Sequence, residues 1–256
     1  MQLNSFLRLA IASNLLLASN IAHADGLSDF KAAIARLQGQ TPVKAVVDLK
    51  TTNVQGEGKE REENTAQGSV IVEESERGLQ VVFSKDLLNR ADNEARNKEK
   101  NPKAKTPTQD AIGQYNTGTL RGLLNAATNL NRSLEKAMFK SEKQDNYNGK
   151  PARLLSFQIP LDKLEEKDRK YVKEFESNID IWIAADGTPL ASRSTQNVAG
   201  RAFVVISFNS KSEEQTSYTT VGNRLVAVRK ESKGSASGAG EKGESSSLIT
   251  VQVQSS

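Results

Sequence analysis

Apolar side chains recur along the chain with two different periods, and each period predicts one kind of element. A spacing of three or four residues predicts a short amphipathic helix over 27–38 and one long helix over 119–138. The first stripe consists of Leu27, Phe30, Ile34 and Leu37. The second consists of Leu120, Leu123, Leu124, Ala127, Leu130, Leu134 and Met138. A stripe as long as the second needs another layer to cover it.

Elsewhere the apolar residues alternate with polar ones, which is the pattern of a half-buried β-strand. The segments with this pattern are 43–50, 69–74, 79–83, 139–147, 150–159, 174–184, 190–198, 202–208, 212–221, 225–230 and 246–253. Asn148-Gly149 is a strong hairpin signal, and Ala199-Gly200 is a further predicted turn. We therefore expect about ten strands, mostly in hairpin succession, with the long helix inserted after the third.

These elements predict a single α+β domain over residues 25–256. A large curved antiparallel sheet, shaped as a half-barrel, would wrap around the long amphipathic helix. Two polar segments interrupt the pattern. Residues 89–108 are expected to form a polar flap, and the Gly/Ser-rich tract 232–243 a flexible loop.

The first 24 residues have the organisation of a secretory signal peptide. Arg8 ends a short basic region, an apolar stretch follows over 9–17, and Ala22-His23-Ala24 has the small-x-small cleavage pattern. We expect cleavage after Ala24 and a periplasmic mature protein. The apolar stretch is about half the ~20 residues that a bilayer-spanning helix needs. No later run approaches that length, so we expect no transmembrane segment in the mature chain.

The composition excludes several functions. The chain has 35 Lys+Arg against 31 Asp+Glu, a surplus too small over 256 residues to indicate nucleic-acid binding. It contains no Cys, and its single histidine, His23, lies in the predicted signal peptide. The mature chain would then lack the groups for Ser-His-Asp or Cys-His catalysis, most zinc sites and haem ligation. We expect no cofactor and no metal.

After these exclusions, the groups that could still catalyse a reaction are hydroxyls, lysines and carboxylates. A hydrolase that uses them is a remote alternative. Ser28 with Lys31, and Ser133 with Lys136, match the S-x-x-K spacing in which a lysine can act as base, but no companion S-D-N or K-T-G motif is present. Glu213-Glu214 is one of several adjacent carboxylate pairs, and neighbours on a strand point to opposite faces. We therefore expect a protein that is not an enzyme.

One segment and the order of elements suggest a known family. The segment Ile179-Asp180-Ile181-Trp182-Ile183-Ala184-Ala185-Asp186-Gly187-Thr188-Pro189-Leu190 reads as an alternating strand, a turn and a return strand. With the element order over 27–253, it resembles the periplasmic lipoprotein-carrier superfamily (LolA/LolB-like). The resemblance implies an antiparallel half-barrel over internal helices, with a cavity that accepts acyl chains or another apolar partner. In this chain the aromatic share is 5%, and the late strands contain many Ser, Thr and Gln.

Two candidate sites follow from this arrangement. The first is an apolar ligand pocket between the helix and the sheet. It would be lined by Leu120, Leu123, Leu124, Ala127, Leu134, Ile179, Ile181, Ile183, Phe203 and Val205. The second is a basic flap that steers an anionic lipid headgroup or an acidic partner. It would consist of Arg90, Arg96, Lys98, Lys100, Lys103 and Lys105.

The sequence thus predicts an exported, non-catalytic carrier or sensor that binds an apolar or lipidic ligand between sheet and helix. The alternative is an envelope interaction or structural module with a packed core and no small-molecule ligand. Such a module would bind a protein partner of the envelope through its sheet edge or through the flap.

Overall fold

The fold is α+β, as the alternating patterns predict. The computed structural model describes residues 25–202 and 206–254, and within them it contains ten strands and six helices. The strands are β1 (Val43–Gln55), β2 (Glu62–Ser75), β3 (Gly78–Val82), β4 (Met138–Tyr147), β5 (Lys150–Gln158), β6 (Val172–Ile183), β7 (Pro189–Ala202), β8 (Ile206–Val221), β9 (Arg224–Gly238) and β10 (Glu241–Val253). The helices are α1 (Gly26–Arg36), α2 (Lys85–Lys100), α3 (Pro107–Gln114), α4 (Thr117–Leu124), α5 (Ala126–Leu134) and α6 (Glu166–Arg169). The predicted signal peptide lies outside the described residues.

All ten strands form one antiparallel sheet in the order β3-β2-β1-β10-β9-β8-β7-β6-β5-β4. Strands that follow one another in sequence are neighbours except β3 and β4, and the pairing of β1 with β10 joins the first three strands to the rest. The described part of the sheet is open, with β3 and β4 at its edges. The prediction of one large antiparallel sheet of about ten strands is therefore confirmed.

The core lies between one face of this sheet and the helices. Period-two alternation buries Val43, Ala45, Val47 and Leu49 on β1, and the same pattern buries Ile179, Ile181 and Ile183 on β6. Phe30 and Ile34 of α1 and the leucines of α4 belong to the same apolar cluster. Among the described residues, no helix has the length and apolar character to cross a membrane.

The prediction of one long helix over 119–138 is wrong. The segment forms two helices, α4 and α5. Asn125 lies between them in a non-helical conformation, with φ −123° and ψ 55°. The Asn125 side-chain amide donates to a Glu74 carboxylate oxygen at 2.8 Å, and its oxygen accepts from Arg224 at 2.9 Å. Polar partners on β2 and β9 thus hold the break. Met138 already belongs to β4.

The predicted polar flap over 89–108 is largely helical. Helix α2 runs to Lys100, and the Ser84 hydroxyl caps it by accepting from the amide of Leu87 at 3.1 Å. Glu94 then caps α3, because its carboxylate accepts from the amides of Thr108 and Gln109. A capping carboxylate at this position also complements the helix dipole. The two helices are therefore fixed to each other.

The Gly/Ser-rich tract 232–243 forms a hairpin and not a loop. Strand β9 continues to Gly238, Ala239-Gly240 makes the turn with positive φ at both residues, and β10 begins at Glu241. Strand β9 pairs with β8 and strand β10 pairs with β1, and these backbone hydrogen bonds keep the small residues in an extended conformation. The predicted turn at Ala199-Gly200 is also wrong, since β7 runs through both residues to Ala202.

Candidate functional site

A cavity of about 630 Å³ lies between helices α4 and α5 and strands β6 to β9. This volume is in the range of pockets that hold small ligands. The helices line it with Gly118, Thr119, Gly122, Leu123, Ala126, Asn129, Leu130 and Ser133. Helix α5 thus presents small and apolar side chains together with two polar ones. The helical wall is apolar at Leu123, Ala126 and Leu130.

The sheet wall becomes more polar along the strands. Cross-strand register aligns side chains of the helix-facing side in rows, and successive rows are roughly 7 Å apart. The row nearest the core is Leu155, Ile181, Ser192, Thr216, Lys230, Ile249 and Leu49. The next is Phe157, Ile179, Ser194, Glu214, Ser232, Ser247 and Thr51. The third is Ser177, Gln196, Ser212, Gly234, Ser245 and Asn53.

This register gives the cavity two kinds of surface. Ile179, Ala227 and Leu123 provide an apolar part, and the side chains of β7 and β8 provide hydroxyl and amide groups. The hydrogen-bonding residues that line it include Ser177, Ser192, Ser194, Gln196, Ser212 and Thr216. A ligand that fills this space meets both apolar contacts and hydrogen-bonding groups.

One ion pair faces the cavity. Lys230 Nζ lies 2.8 Å from a carboxylate oxygen of Glu214, and about a third of each side chain is exposed. The two residues come from adjacent rows and adjacent strands, so the pair is diagonal across β8 and β9. Of the described residues that line the cavity, these two are the charged ones, and their formal charges cancel.

Tyr218 forms part of the wall near Ala227. Its hydroxyl lies 2.6 Å from the Ser192 hydroxyl. Burial raises the pKa of Tyr218 to about 12, chiefly because the phenolate would lose its hydration. The phenol is therefore protonated throughout the neutral range and serves as a hydrogen-bonding group.

The helices over the cavity are anchored by a buried polar network at Asn125. Arg224 is 1% exposed and forms an ion pair with Glu74 at 3.1 Å. Asn125 joins both of them, and Arg121 Nε approaches Glu74 to 3.7 Å from α4. Because Glu74 lies on β2 and Arg224 on β9, the network ties the α4–α5 junction to two strands of the sheet.

Most of the predicted pocket residues belong to the packed core. Leu120, Leu124, Ala127, Ile181 and Ile183 are almost fully buried, and Leu134 packs against the same cluster. None of these six lines the cavity, whereas the predicted residues Leu123 and Ile179 do. Phe203 and Val205 lie outside the described residues. The apolar stripe therefore marks the core, and the cavity begins at its margin.

Sequence reasoning missed the hydroxyl wall. Alternation alone places Ser192, Ser194 and Gln196 on one face of a strand, which is a usable signal. It does not show that Ser177 and Ser212 lie beside Gln196, because that depends on the register of β6, β7 and β8.

The predicted basic flap does not border this cavity. None of its six basic residues lines the cavity, and Arg90 instead lines a separate recess of about 200 Å³ with Asp48 and Gln67. Lys98 donates to the carbonyl of Ala104 at 2.9 Å, and Lys105 donates to the carbonyl of Glu63. Arg96, Lys100 and Lys103 are exposed.

The residues considered for hydrolysis are placed apart or already engaged. The Ser133 hydroxyl donates to the Asn129 carbonyl at 3.0 Å, and Lys136 follows the end of α5. Glu213 is paired with Arg193 at 2.9 Å, and Glu214 is paired with Lys230 at 2.8 Å. Within the described ranges, no cluster of three acidic side chains has the arrangement of a metal site.

Comparison of the chain with protein-family models, curated proteins and solved structures finds no match. The resemblance to the lipoprotein-carrier superfamily therefore stays a prediction, and the geometry of the cavity is the feature that bears on function.

Proposed function

We propose that the protein is an exported, non-catalytic carrier or sensor that holds an amphipathic, lipidic ligand between α4–α5 and the sheet. The observation that supports this most strongly is the cavity of about 630 Å³, whose lining combines apolar and hydroxyl side chains. Its apolar part suits a hydrocarbon chain, since each buried methylene is favourable by about 0.8 kcal/mol. Its hydroxyl wall suits a polar head that needs hydrogen-bond partners. The natural ligand is thus expected to be amphipathic, and the apolar part alone is expected to hold a small apolar probe.

Native mass spectrometry tests the proposal. Residues 25–256 would be produced with the native leader, purified from the periplasm without detergent, and measured under native and denaturing conditions. We expect a satellite mass of a phospholipid, fatty acid or similar amphiphile that disappears on denaturation. A single ligand-free mass that persists after incubation with dodecyl amphiphiles would overturn the proposal.

One observation favours the interaction module as a second candidate. Strand β4 is an edge of the described sheet, and its first residues, Met138 and Phe139, are 49% and 40% exposed. An edge strand with apolar side chains can accept a strand from another protein. Under this alternative, the double substitution Met138→Lys and Phe139→Lys abolishes binding of a captured envelope partner. Under the same alternative, the wild type itself does not bind an apolar dye.

A further inference from the structure

The charge pattern of the cavity restricts the ligand further. Lys230 and Glu214 contribute one positive and one negative charge 2.8 Å apart, and hydroxyl residues surround them in the same rows. Thr216 is opposite Lys230, whereas Ser194 and Ser232 flank Glu214. The polar end of the cavity is therefore electrically neutral but strongly polarised.

A head group with a net charge fits this arrangement poorly. An anionic head that pairs with Lys230 leaves Glu214 beside a second negative charge, and a cationic head has the opposite problem with Lys230. A group that loses its ionic partner in a partly desolvated site is costly. An uncharged head leaves the existing pair intact and can hydrogen-bond its charged groups, but it brings no charge of its own and so forms no further ion pair.

We infer that the cavity selects amphiphiles with a zwitterionic head group, with Lys230 binding the anionic part and Glu214 the cationic part. This inference rests on the proposed function of the same cavity. A zwitterion exchanges one ion pair for two, because each protein charge gains a ligand partner of opposite sign. The chain of the ligand then lies toward Ile179, Leu123 and Ala227, which line the apolar part.

The strand β9 provides a matched control for this inference. Arg229 and Glu231 also form an ion pair, but these residues are the alternate members of the same strand and point to the opposite face of the sheet. Neither of them lines the cavity. Glu231→Gln therefore removes a charge next to Lys230 in sequence without changing the cavity.

The test compares four amphiphiles with the same dodecyl chain and different heads. They are dodecylphosphoethanolamine, dodecyl sulfate, dodecyltrimethylammonium and dodecyl maltoside, each added below its micelle concentration. Isothermal titration calorimetry measures the Kd for the wild type and for Glu214→Gln, Lys230→Gln and Glu231→Gln. Circular dichroism checks that each variant is folded.

The wild type and Glu231→Gln are expected to bind dodecylphosphoethanolamine at least tenfold more tightly than the other three. Glu214→Gln should reverse the order in favour of dodecyl sulfate, and Lys230→Gln in favour of dodecyltrimethylammonium. Damage to the fold weakens all four ligands together and does not invert their order.

Two negative results are distinguishable. If the wild type binds all four amphiphiles within about threefold of one another, or if neither cavity variant changes the order, the inference is overturned and the proposed function stands. If none of the four binds to the wild type, the proposed function itself fails.

Discussion

The buried guanidinium of Arg224 holds helices α4 and α5 in position over the sheet. It lies at the start of β9 and meets Glu74 on β2 and Asn125 between α4 and α5. Its Nε has no hydrogen-bond partner in the described part of the chain. Removal of one partner of a buried ion pair leaves an uncompensated charge, which costs more than the pair itself contributes. The network therefore holds the helix break in place, and we expect substitution of any one of its members to destabilise the fold strongly.

Glu74→Ala is expected to lower the free energy of unfolding by about 3–5 kcal/mol, because it leaves Arg224 buried without its carboxylate. Glu57→Ala is the control, since Glu57 pairs with Lys242 at 2.7 Å with both side chains largely exposed. That change should cost less than about 1 kcal/mol. Urea unfolding followed by circular dichroism measures both. Equal effects of the two substitutions would contradict the anchoring role of the Arg224 network.

Because the pKa of Tyr218 is raised in the folded protein, we expect the free energy of unfolding to fall at high pH. This pKa is raised to about 12 in the folded protein from an ordinary value of 10.0. The unfolded chain therefore releases this proton first, and the stabilisation that is complete below pH 10 is lost as the pH rises toward 12. Burial also raises the pKa of Tyr115, so both residues act in the same direction.

The measurement is urea unfolding between pH 9 and pH 12 for the wild type and Tyr218→Phe. The variant should show a shallower fall in stability with pH, whatever its stability at pH 9. Identical slopes for the two proteins would show that Tyr218 ionises at an ordinary pKa.

At the scale of elements, most strands and helix α1 were predictable from the sequence, whereas α2, α3 and the break between α4 and α5 were not. Alternation in segments such as 43–50 and 174–184 identifies strands because each element buries one face independently of its neighbours. The break at Asn125 depends on Glu74 and Arg224, which are distant in sequence. Helix α2 lacks an apolar stripe beyond Ala91, so its polar half resembles a loop in sequence. The Gly/Ser tract forms a strand because neighbouring strands supply the ladder bonds.

The helices α2 and α3 have a position that no local pattern reveals. Strand β3 pairs with β2 only over Ile71–Ser75, and α3 packs beside the rest of β2. Ala111 is close to Gly68, where an added Cβ would lie 3.2 Å from the Ala111 Cβ. Lys105 bonds the Glu63 carbonyl in the same stretch. Helix α3, together with Lys105 from the end of the segment predicted as a flap, thus packs against the stretch of β2 that β3 leaves without a partner strand.

Glu94→Ala is expected to loosen this edge cover, since it removes the carboxylate that caps α3 at 2.8 Å from the Thr108 amide. Loss of a helix cap costs about 1 kcal/mol. Hydrogen exchange should become faster by roughly fivefold in α3 and in β2 residues 62–68. Glu99→Ala, at an exposed position of the same helix, is the control. Unchanged exchange in α3 would contradict the capping role.

At the scale of the whole molecule, the sheet combines a packed core and a ligand-sized space on one face. Helix α3 packs on β1 and β2, α1 on β5 and α4 on β9, whereas the hydroxyl residues of β7 and β8 line the cavity together with α4 and α5. Composition showed that the late strands are polar, but only the register places their side chains in one wall. The function proposed above depends on this gap being accessible and able to hold a ligand.

Two helical glycines allow that claim to be tested by a matched pair of substitutions. Gly122 lines the cavity, and a Cβ added there has its nearest neighbour, Asn129, at 3.8 Å. Gly113 lies on α3 away from the cavity, and a Cβ there meets nothing within 4 Å. Phenylalanine at either position should therefore be tolerated by the fold, but only Gly122→Phe would fill the space.

Fluorescence titration with the uncharged apolar dye N-phenyl-1-naphthylamine compares these two variants with the wild type. We expect the wild type and Gly113→Phe to bind one dye molecule saturably, and Gly122→Phe to bind it at least tenfold more weakly. Saturable binding of equal affinity in all three proteins would show that the dye binds outside the cavity. Absence of binding to the wild type would show that the cavity does not admit a ligand. Either result would contradict a ligand site between α4–α5 and the sheet.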